Sequence, residues 1–145
     1  MADAYRVEMH TVDGGPTALG RAGSFTLVSD RPASAGGRGL GFNGGQLLNL
    51  AVAACISNDL YREAMTRGFA LSRVHVTVDA DYRGDPAVST PIDYDVEVDG
   101  DASAEDLEDL VAHVDAIAEI PNSLRNATEV RLRDRRVAHS HILDE

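Results

Sequence analysis

The sequence predicts an α+β domain in which antiparallel sheets pack around one long buried helix. Residues 47–56 are apolar except for Asn49, which is typical of a helix segment covered on every side. Segments that alternate apolar and polar residues precede and follow this helix with the period of half-buried strands. Strands grouped in this way around single helices favour antiparallel sheets, and the 145 residues fit one domain spanning residues 1–145.

The composition excludes several classes of function. A formal net charge of −11 repels phosphate backbones, and the basic run at residues 131–136 is interrupted by Leu132 and Asp134. We therefore expect no nucleic-acid partner. All 13 basic residues are arginine, which excludes catalysis through a lysine amine.

Cysteine content and hydropathy predict a cytoplasmic protein without a membrane partner. The single cysteine leaves no intrachain disulfide, and the first ten residues have neither the basic nor the apolar segment of an export signal. The longest apolar run, residues 50–56, is far shorter than the roughly 20 residues that span a bilayer.

The N-terminal part predicts a small antiparallel sheet. Residues 5–11 alternate apolar and polar side chains, and a Gly/Pro cluster at 13–16 predicts the turn that follows. Residues 17–22 and 25–27 predict the second and third strands. The glycine-rich stretch 33–45 then predicts a long loop that leads into the central helix.

Capping signals predict both ends of the central helix. Asn43 supplies a side-chain oxygen for the first free amides, and Gln46 three residues later completes a weaker form of the capping box. The helix is therefore expected to begin near Gly44. Gly68 is expected to end it, because glycine readily adopts the left-handed conformation of a C-cap.

The first half of this helix offers more apolar surface than one chain covers. The sheets cover one side, and the second helix presents only a single stripe, which leaves apolar surface between Leu47 and Ile56. A second copy of the chain is the simplest way to cover this apolar surface. We therefore expect a homodimer.

The segment after the central helix predicts an antiparallel pair of strands and a second helix. Residues 74–78 and 92–98 alternate apolar and polar side chains, as strands with one wet face do. Ser103 is an N-cap signal, and the apolar residues between 107 and 117 form one stripe at helical spacing.

The C-terminal part predicts a short helical turn and a final strand. Pro121 is expected to end the second helix, and Asn122 is expected to cap one further turn. The alternation in residues 128–132 predicts the last strand before a polar tail.

Cys55 is the first candidate for chemistry, and the alternative is a small buried hydrophobic residue. It lies well inside the helix, beyond the reach of the positive N-terminus, and the Asp59 carboxylate one turn later disfavours a thiolate. A reactive thiolate therefore needs an arginine from another part of the fold.

Neither a metal site nor a cofactor site is predicted. His139 and His141 form a pair, but no further cluster of Cys or His ligands accompanies them, and a solvated tail is the alternative. The glycine string at 36–41 lacks the preceding parallel strand and the Lys-Ser/Thr pair of a phosphate loop.

Three segments together carry a family resemblance. Residues 43–47 read Asn-Gly-Gly-Gln-Leu, residues 48–55 form a run of mostly small apolar residues ending in Ala-Cys, and residues 120–123 read Ile-Pro-Asn-Ser. With the order of the elements, they resemble the osmotically induced and organic-hydroperoxide-resistance proteins, the OsmC-like family. That family has an N-P-E-Q-L type segment, a small apolar helix ending in Ala-Cys or Gly-Cys, and a C-P-x-S segment with a second cysteine.

The resemblance implies an intertwined homodimer with two active sites at its interface, and it implies roles for individual residues. Cys55 takes the peroxidatic position, where a thiolate attacks a hydroperoxide and becomes sulfenic acid. Arg21, in a matching G-R-x-G turn, is expected to polarise that thiolate, although an ordinary exposed hairpin arginine is the alternative. Arg38 is the second candidate, and Asn43 and Gln46 are expected at the binding site.

The sequence departs from the family at two working positions. Gly45 stands where the family has glutamate, and Ile120 stands where it has the second cysteine. We therefore predict a diverged thiol peroxidase that reduces organic hydroperoxides through Cys55 and depends on an external thiol. The alternatives are a non-catalytic dimer that binds a small apolar or lipid-like molecule and a purely structural dimer.

Overall fold

The computed structural model describes residues 5–139 and shows three small antiparallel sheets and three α-helices. The elements follow in the order β1 (Glu8–Thr11), β2 (Ala18–Ala22), β3 (Phe25–Ser29), α1 (Gly44–Arg67), β4 (Leu71–Asp79), β5 (Tyr82–Arg83), β6 (Val88–Ser89), β7 (Asp93–Gly100), α2 (Ala104–Ile117) and α3 (Glu119–Arg125). This is the predicted α+β fold with antiparallel sheets around a long helix.

The central helix α1 has 24 residues, and both of its predicted ends are confirmed. The Asn43 side chain accepts a hydrogen bond from the Gln46 amide at 2.9 Å, and the Gln46 side chain accepts one from the Asn43 amide at 3.0 Å. Gly68 ends the helix with a φ of 80°, the left-handed conformation that glycine adopts without strain.

The core lies where α1 and α2 pack against each other and against the sheet of β4 and β7. In that sheet Val76 is opposite Val96 and Val74 is opposite Val98, so alternate residues of both strands face the helices. The fully buried side chains of the core are Ile56, Leu60, Ala64, Leu110, Val114 and Ala118.

One ion pair and one histidine–carboxylate contact on the surface join α1 to α2. Arg67 contacts the Asp109 carboxylate at 2.8 Å, and His113 Nε2 lies 3.3 Å from the Glu63 carboxylate. Both contacts bridge the second half of α1 and α2 beside their apolar core.

The N-terminal sheet has the strand order β1-β2-β3 and leaves apolar side chains uncovered. Phe25 is 79% exposed, and Met9 is also exposed. On α1, Leu50 is 46% exposed and Ala54 is exposed, whereas Val52 and Ile56 are buried. The apolar surplus expected of the first helix half is therefore present in the single chain.

Asp30 organises the glycine-rich loop that links β3 to α1. Its buried carboxylate accepts hydrogen bonds from the Thr17 hydroxyl at 3.0 Å and from the amides of Arg31, Arg38 and Leu40 at 2.7 to 3.2 Å. Burial alone raises the pKa of this carboxyl, but these donors outweigh it and hold the pKa below its usual value. The loop is thus tied into a defined shape.

The prediction of a last strand at residues 128–132 is wrong. Residues 128–139 have no regular secondary structure, and Val130 and Leu132 are 96% and 79% exposed. Alternating residues form a strand only beside a free sheet edge, and within residues 5–139 no sheet edge pairs with this segment. Residues 128–132 have the alternating pattern of a strand, but no strand within residues 5–139 pairs with them.

The expectations for Pro121 and Asn122 are also wrong. The second helix ends earlier, at Ile117, and Pro121 lies in the first turn of α3, where its missing amide is not needed. Ala118 is the N-cap of α3, and the Asn122 side chain instead donates to the Ala116 carbonyl at 2.9 Å.

The β5–β6 hairpin was not predicted, because its two strands of two residues each are too short to show an alternating pattern. Tyr82 pairs with Ser89 and Arg83 pairs with Val88, so two short strands precede β7.

None of the helices in residues 5–139 combines the length and the apolar character needed to cross a membrane.

Candidate active site

Cys55 lies in the middle of α1, half-buried against the core. The sequence forms a helix here because the cap at Asn43 starts it and a segment dominated by Leu and Ala, which favour helices, continues it. Residues three and four positions earlier, Val52 and Ala51, lie on the same side of the helix as the thiol. The surroundings of these two residues therefore define the space next to Cys55.

Val52 and Ala51 each line one cavity beside α1. The helix cavity, about 340 Å³, lies between α1, α3 and the start of β7, and Val52, Leu48, Tyr94, Pro121 and Arg125 line it. The sheet cavity, about 570 Å³, lies between α1 and the N-terminal sheet, and Ala51, Leu47, Met9, Phe25 and Arg21 line it. Most of the lining side chains in both cavities are apolar.

The thiol of Cys55 makes a hydrogen bond with a carboxylate on its own helix. Its Sγ lies 4.0 Å from Asp59 Oδ2. Asp59 is only 7% exposed, and its other oxygen contacts Arg62 Nη1 at 2.9 Å. The three side chains form a row along one side of α1.

Arg62 links this row to a second carboxylate. Its Nε donates to Glu63 at 3.0 Å, and this hydrogen bond, together with the charge of Asp59, raises the pKa of Arg62. Arg62 was not among the predicted site residues. The i,i+4 and i,i+7 spacing of Asp59 and Arg62 from Cys55 is the signal that places all three on one side of a helix.

The structure brings Arg21, but not Arg38, to the surroundings of α1. Arg21 lies in β2 opposite Glu8 and Thr26 and lines the sheet cavity together with Ala51. Its side chain makes no ion pair within residues 5–139. Arg38 instead contacts the Asp13 carboxylate at 3.5 Å.

Asn43 and Gln46 are engaged in the reciprocal cap of α1. Gln46 also lines a third cavity of about 300 Å³ with Asn49, Leu50 and Val76 among its neighbours. The Asn49 side-chain oxygen is buried there without a hydrogen-bond partner in the described part of the chain. A binding role for Asn43 and Gln46 stays a prediction.

Gly45 and Ile120, the two positions that depart from the family motif, have different surroundings. A Cβ atom at Gly45 would lie 2.8 Å from Cε2 of Tyr82, so the tyrosine ring occupies the space that a side chain at position 45 needs. Ile120 lies in α3 directly before Pro121, which lines the helix cavity.

A polar cluster lies at the far wall of the helix cavity. The Tyr94 hydroxyl and Arg125 Nη2 both donate to Asp115 Oδ1, and Arg125 does so at 2.6 Å. Burial and the hydrogen bond to Asp115 raise the pKa of Tyr94 to about 12. The Tyr94 hydroxyl and the Arg125 guanidinium lower the pKa of Asp115.

No group of three or more candidate metal ligands converges within residues 5–139. Of the histidine pair considered from the sequence, His139 is described and His141 lies outside the described residues.

The fold and this site define a class: an α+β domain built around a long helix that carries a lone cysteine beside apolar cavities. The profile of the OsmC-like protein family matches residues 36–133. The chain therefore belongs to the OsmC-like family. No protein with curated annotation is a significant match to the sequence.

Solved structures of low sequence identity share the fold. The OsmC-like protein from Mycoplasma pneumoniae has a TM-score of 0.74 at 16% identity, over 88% of this chain and 92% of that one. The organic hydroperoxide resistance protein OsmC from Legionella pneumophila has 0.61 at 20% identity, over 83% and 88%. The organic hydroperoxide resistance protein OhrB of Bacillus subtilis has 0.58 at 19% identity, over 83% and 89%.

Proposed function

We propose that this protein reduces organic hydroperoxides through the thiol of Cys55 and that an external thiol regenerates it. The observation that carries the proposal is the position of Cys55. The lone cysteine of an OsmC-like chain lies half-buried on the central helix, one turn from residues that line two apolar cavities. Such cavities can bind the apolar organic group of a hydroperoxide, and the thiol can react with its outer oxygen.

The chemistry is a two-electron transfer. The sulfur of Cys55 attacks the outer oxygen of R–O–O–H, the O–O bond breaks, and the products are a sulfenic acid and the alcohol R–OH. A first external thiol then forms a mixed disulfide with Cys55 and releases water. A second external thiol reduces that disulfide and restores the free Cys55.

The residue at position 120 is the reason why an external reductant is needed. The isoleucine there cannot resolve the sulfenic acid, and Cys55 is the only cysteine of the chain. The oxidised site therefore waits for a small thiol or oxidises further to sulfinic acid. We expect slow turnover and ready overoxidation.

A homodimer and a cytoplasmic location are part of the proposal. The uncovered apolar side chains of the N-terminal sheet and of the first half of α1, among them Phe25 and Leu50, support a second copy as their cover. In such a dimer Arg21 approaches a Cys55, from its own chain or from the other copy. A lone unpaired cysteine suits a reducing compartment.

The second candidate function is the binding of a small apolar or lipid-like molecule without catalysis. The sheet cavity of about 570 Å³ favours it, because apolar side chains dominate its lining. In this case Cys55 is a packing residue. The missing glutamate and second cysteine then reflect the loss of the reaction.

Trapping the oxidised thiol tests the proposal. The reduced protein is mixed with one equivalent of cumene hydroperoxide in the presence of dimedone, and intact mass spectrometry follows. We expect consumption of the peroxide and one dimedone adduct on Cys55, and neither in the Cys55→Ser variant. An unmodified Cys55 beside unconsumed peroxide contradicts the peroxidase and leaves the binding function.

A further inference from the structure

The Cys55 thiol makes one hydrogen bond within residues 5–139, and its acceptor is the Asp59 carboxylate at 4.0 Å. Asp59 is 7% exposed, so bulk water competes little for its oxygens. Its second oxygen is held by Arg62 at 2.9 Å. The carboxylate is thus fixed by a cation on one side and faces the thiol on the other.

Reduction of a hydroperoxide by a thiol needs a group that moves a proton. The thiol must lose its proton when sulfur attacks, and the departing alkoxide must gain one. An arginine keeps its protons throughout the accessible pH range and cannot do both. A carboxylate does both, provided that it lies within hydrogen-bonding reach of the thiol sulfur and of the alkoxide oxygen.

We propose that Asp59 carries this proton and that Arg62 positions the Asp59 carboxylate for the transfer. The inference rests on the proposed function, because it assigns the proton movements of the same reaction. Asp59 Oδ2 takes the thiol proton as the sulfur electron pair attacks the outer peroxide oxygen. The O–O bond breaks, and the alkoxide takes that proton from Asp59.

The atoms and electrons of this step balance. One S–O bond and one alcohol O–H bond form, and one S–H bond and one O–O bond break. Sulfur is oxidised by two electrons and the peroxide is reduced by two. Asp59 begins and ends the step as a carboxylate, so it acts as a catalyst rather than a reactant.

Comparing two reactions of the same thiol tests the role of Asp59. Alkylation by iodoacetamide needs only the thiolate, whereas reduction of cumene hydroperoxide needs the thiolate and a proton. Asp59→Asn leaves the thiol itself intact, so we expect alkylation at least as fast as in the wild type. An amide cannot carry the proton, so we expect hydroperoxide reduction to slow by about tenfold or more.

Asp109→Asn is the matched control. Asp109 is an exposed carboxylate on α2 that contacts Arg67 of α1, and the described residues show no contact between it and Cys55, Asp59 or Arg62. We expect both rates to stay within about twofold of the wild type in this variant. A hydroperoxide rate that Asp59→Asn leaves unchanged overturns the inference alone, whereas a wild type that reduces no hydroperoxide overturns the proposed function with it.

Arg62 gives a second test that does not need Asp59→Asn to fold. Without the contact from Arg62 Nη1, the Asp59 carboxylate is no longer held beside the thiol, so Arg62→Gln should slow hydroperoxide reduction by about threefold or more and leave alkylation by iodoacetamide within about twofold of the wild type. Arg62→Lys, which keeps the cation, should restore the hydroperoxide rate. Glu63 and Glu119 also act on Arg62, and His113 contacts Glu63, so Glu63→Gln is measured in the same series. A hydroperoxide rate that Arg62→Gln leaves unchanged overturns the role of Arg62.

Discussion

The Tyr94 hydroxyl donates a hydrogen bond to the Asp115 carboxylate and so joins strand β7 to helix α2. The same carboxylate accepts from Arg125 of α3, and Arg125 also donates to the Asp115 carbonyl at 2.8 Å. One carboxylate therefore holds three elements together at the wall of the helix cavity.

Stability should fall between about pH 10 and pH 12 because of Tyr94. The pKa of Tyr94 is about 12 in the folded chain, against about 10 when unfolded, so its contribution is complete below pH 10 and is lost as pH rises through 12. Urea unfolding across this range measures the change. Tyr94→Phe should flatten the slope, and Tyr82→Phe, whose hydroxyl has no hydrogen bond within residues 5–139, should not.

Alanine at Gly41 should destabilise the fold, whereas alanine at Gly44 should not. A Cβ at position 41 would lie 2.2 Å from the Val28 carbonyl oxygen, so the loop would have to leave β3, at roughly 1–3 kcal/mol. A Cβ at Gly44, in the first turn of α1, meets nothing within 4 Å. Gly44→Ala should be neutral or stabilise by up to about 0.5 kcal/mol. Denaturant unfolding compares the pair, and equal effects would contradict the close approach at Gly41.

Ala54→Glu should separate the proposed dimer. Ala54 is exposed on α1 in the single chain, within the surface that we assign to a second copy. A charge buried there without a partner costs several kcal/mol, so light scattering should give half the wild-type mass. Thr66→Glu, on the last turn of α1, is the control and should keep the dimer mass. A monomeric wild type would remove the dimer from the proposal.

Ile120→Cys should give an intramolecular disulfide with Cys55 after hydroperoxide treatment. Position 120 lies on α3, which packs against α1, and a disulfide forms if the two α-carbons come within about 7 Å. Thiol counting and mass spectrometry detect the bond, and the same variant in a Cys55→Ser background is the control. Two free thiols after peroxide treatment, with Cys55 unoxidised, would move the assignment to the ligand-binding function.

The sequence predicted the features that depend on neighbouring residues. The two ends of α1 are encoded by Asn43, Gln46 and Gly68, all within one turn of the boundary that each one sets. The antiparallel pair of β4 and β7 followed from strict alternation. Family membership followed from the motif that ends at Cys55, and the profile match confirms it.

The features that depend on distant residues could not be predicted in the same way. Residues 128–132 carry a strand pattern, but a strand needs an edge to pair with, and a pattern does not supply that edge. The β5–β6 hairpin was missed because strands of two residues give no period. The roles of Arg21 and Arg38 also depend on distant parts of the chain, and their assignment to Cys55 stays a prediction.

The contact between Gly45 and Tyr82 couples these two positions. A Cβ at position 45 would lie 2.8 Å from the tyrosine ring, so a glutamate there requires the Tyr82 side chain to move away. Relatives that carry a side chain at position 45 should therefore carry a smaller residue at position 82, or a hairpin of another length. A side chain at the start of the central helix and the tyrosine of the β5–β6 hairpin thus compete for one space.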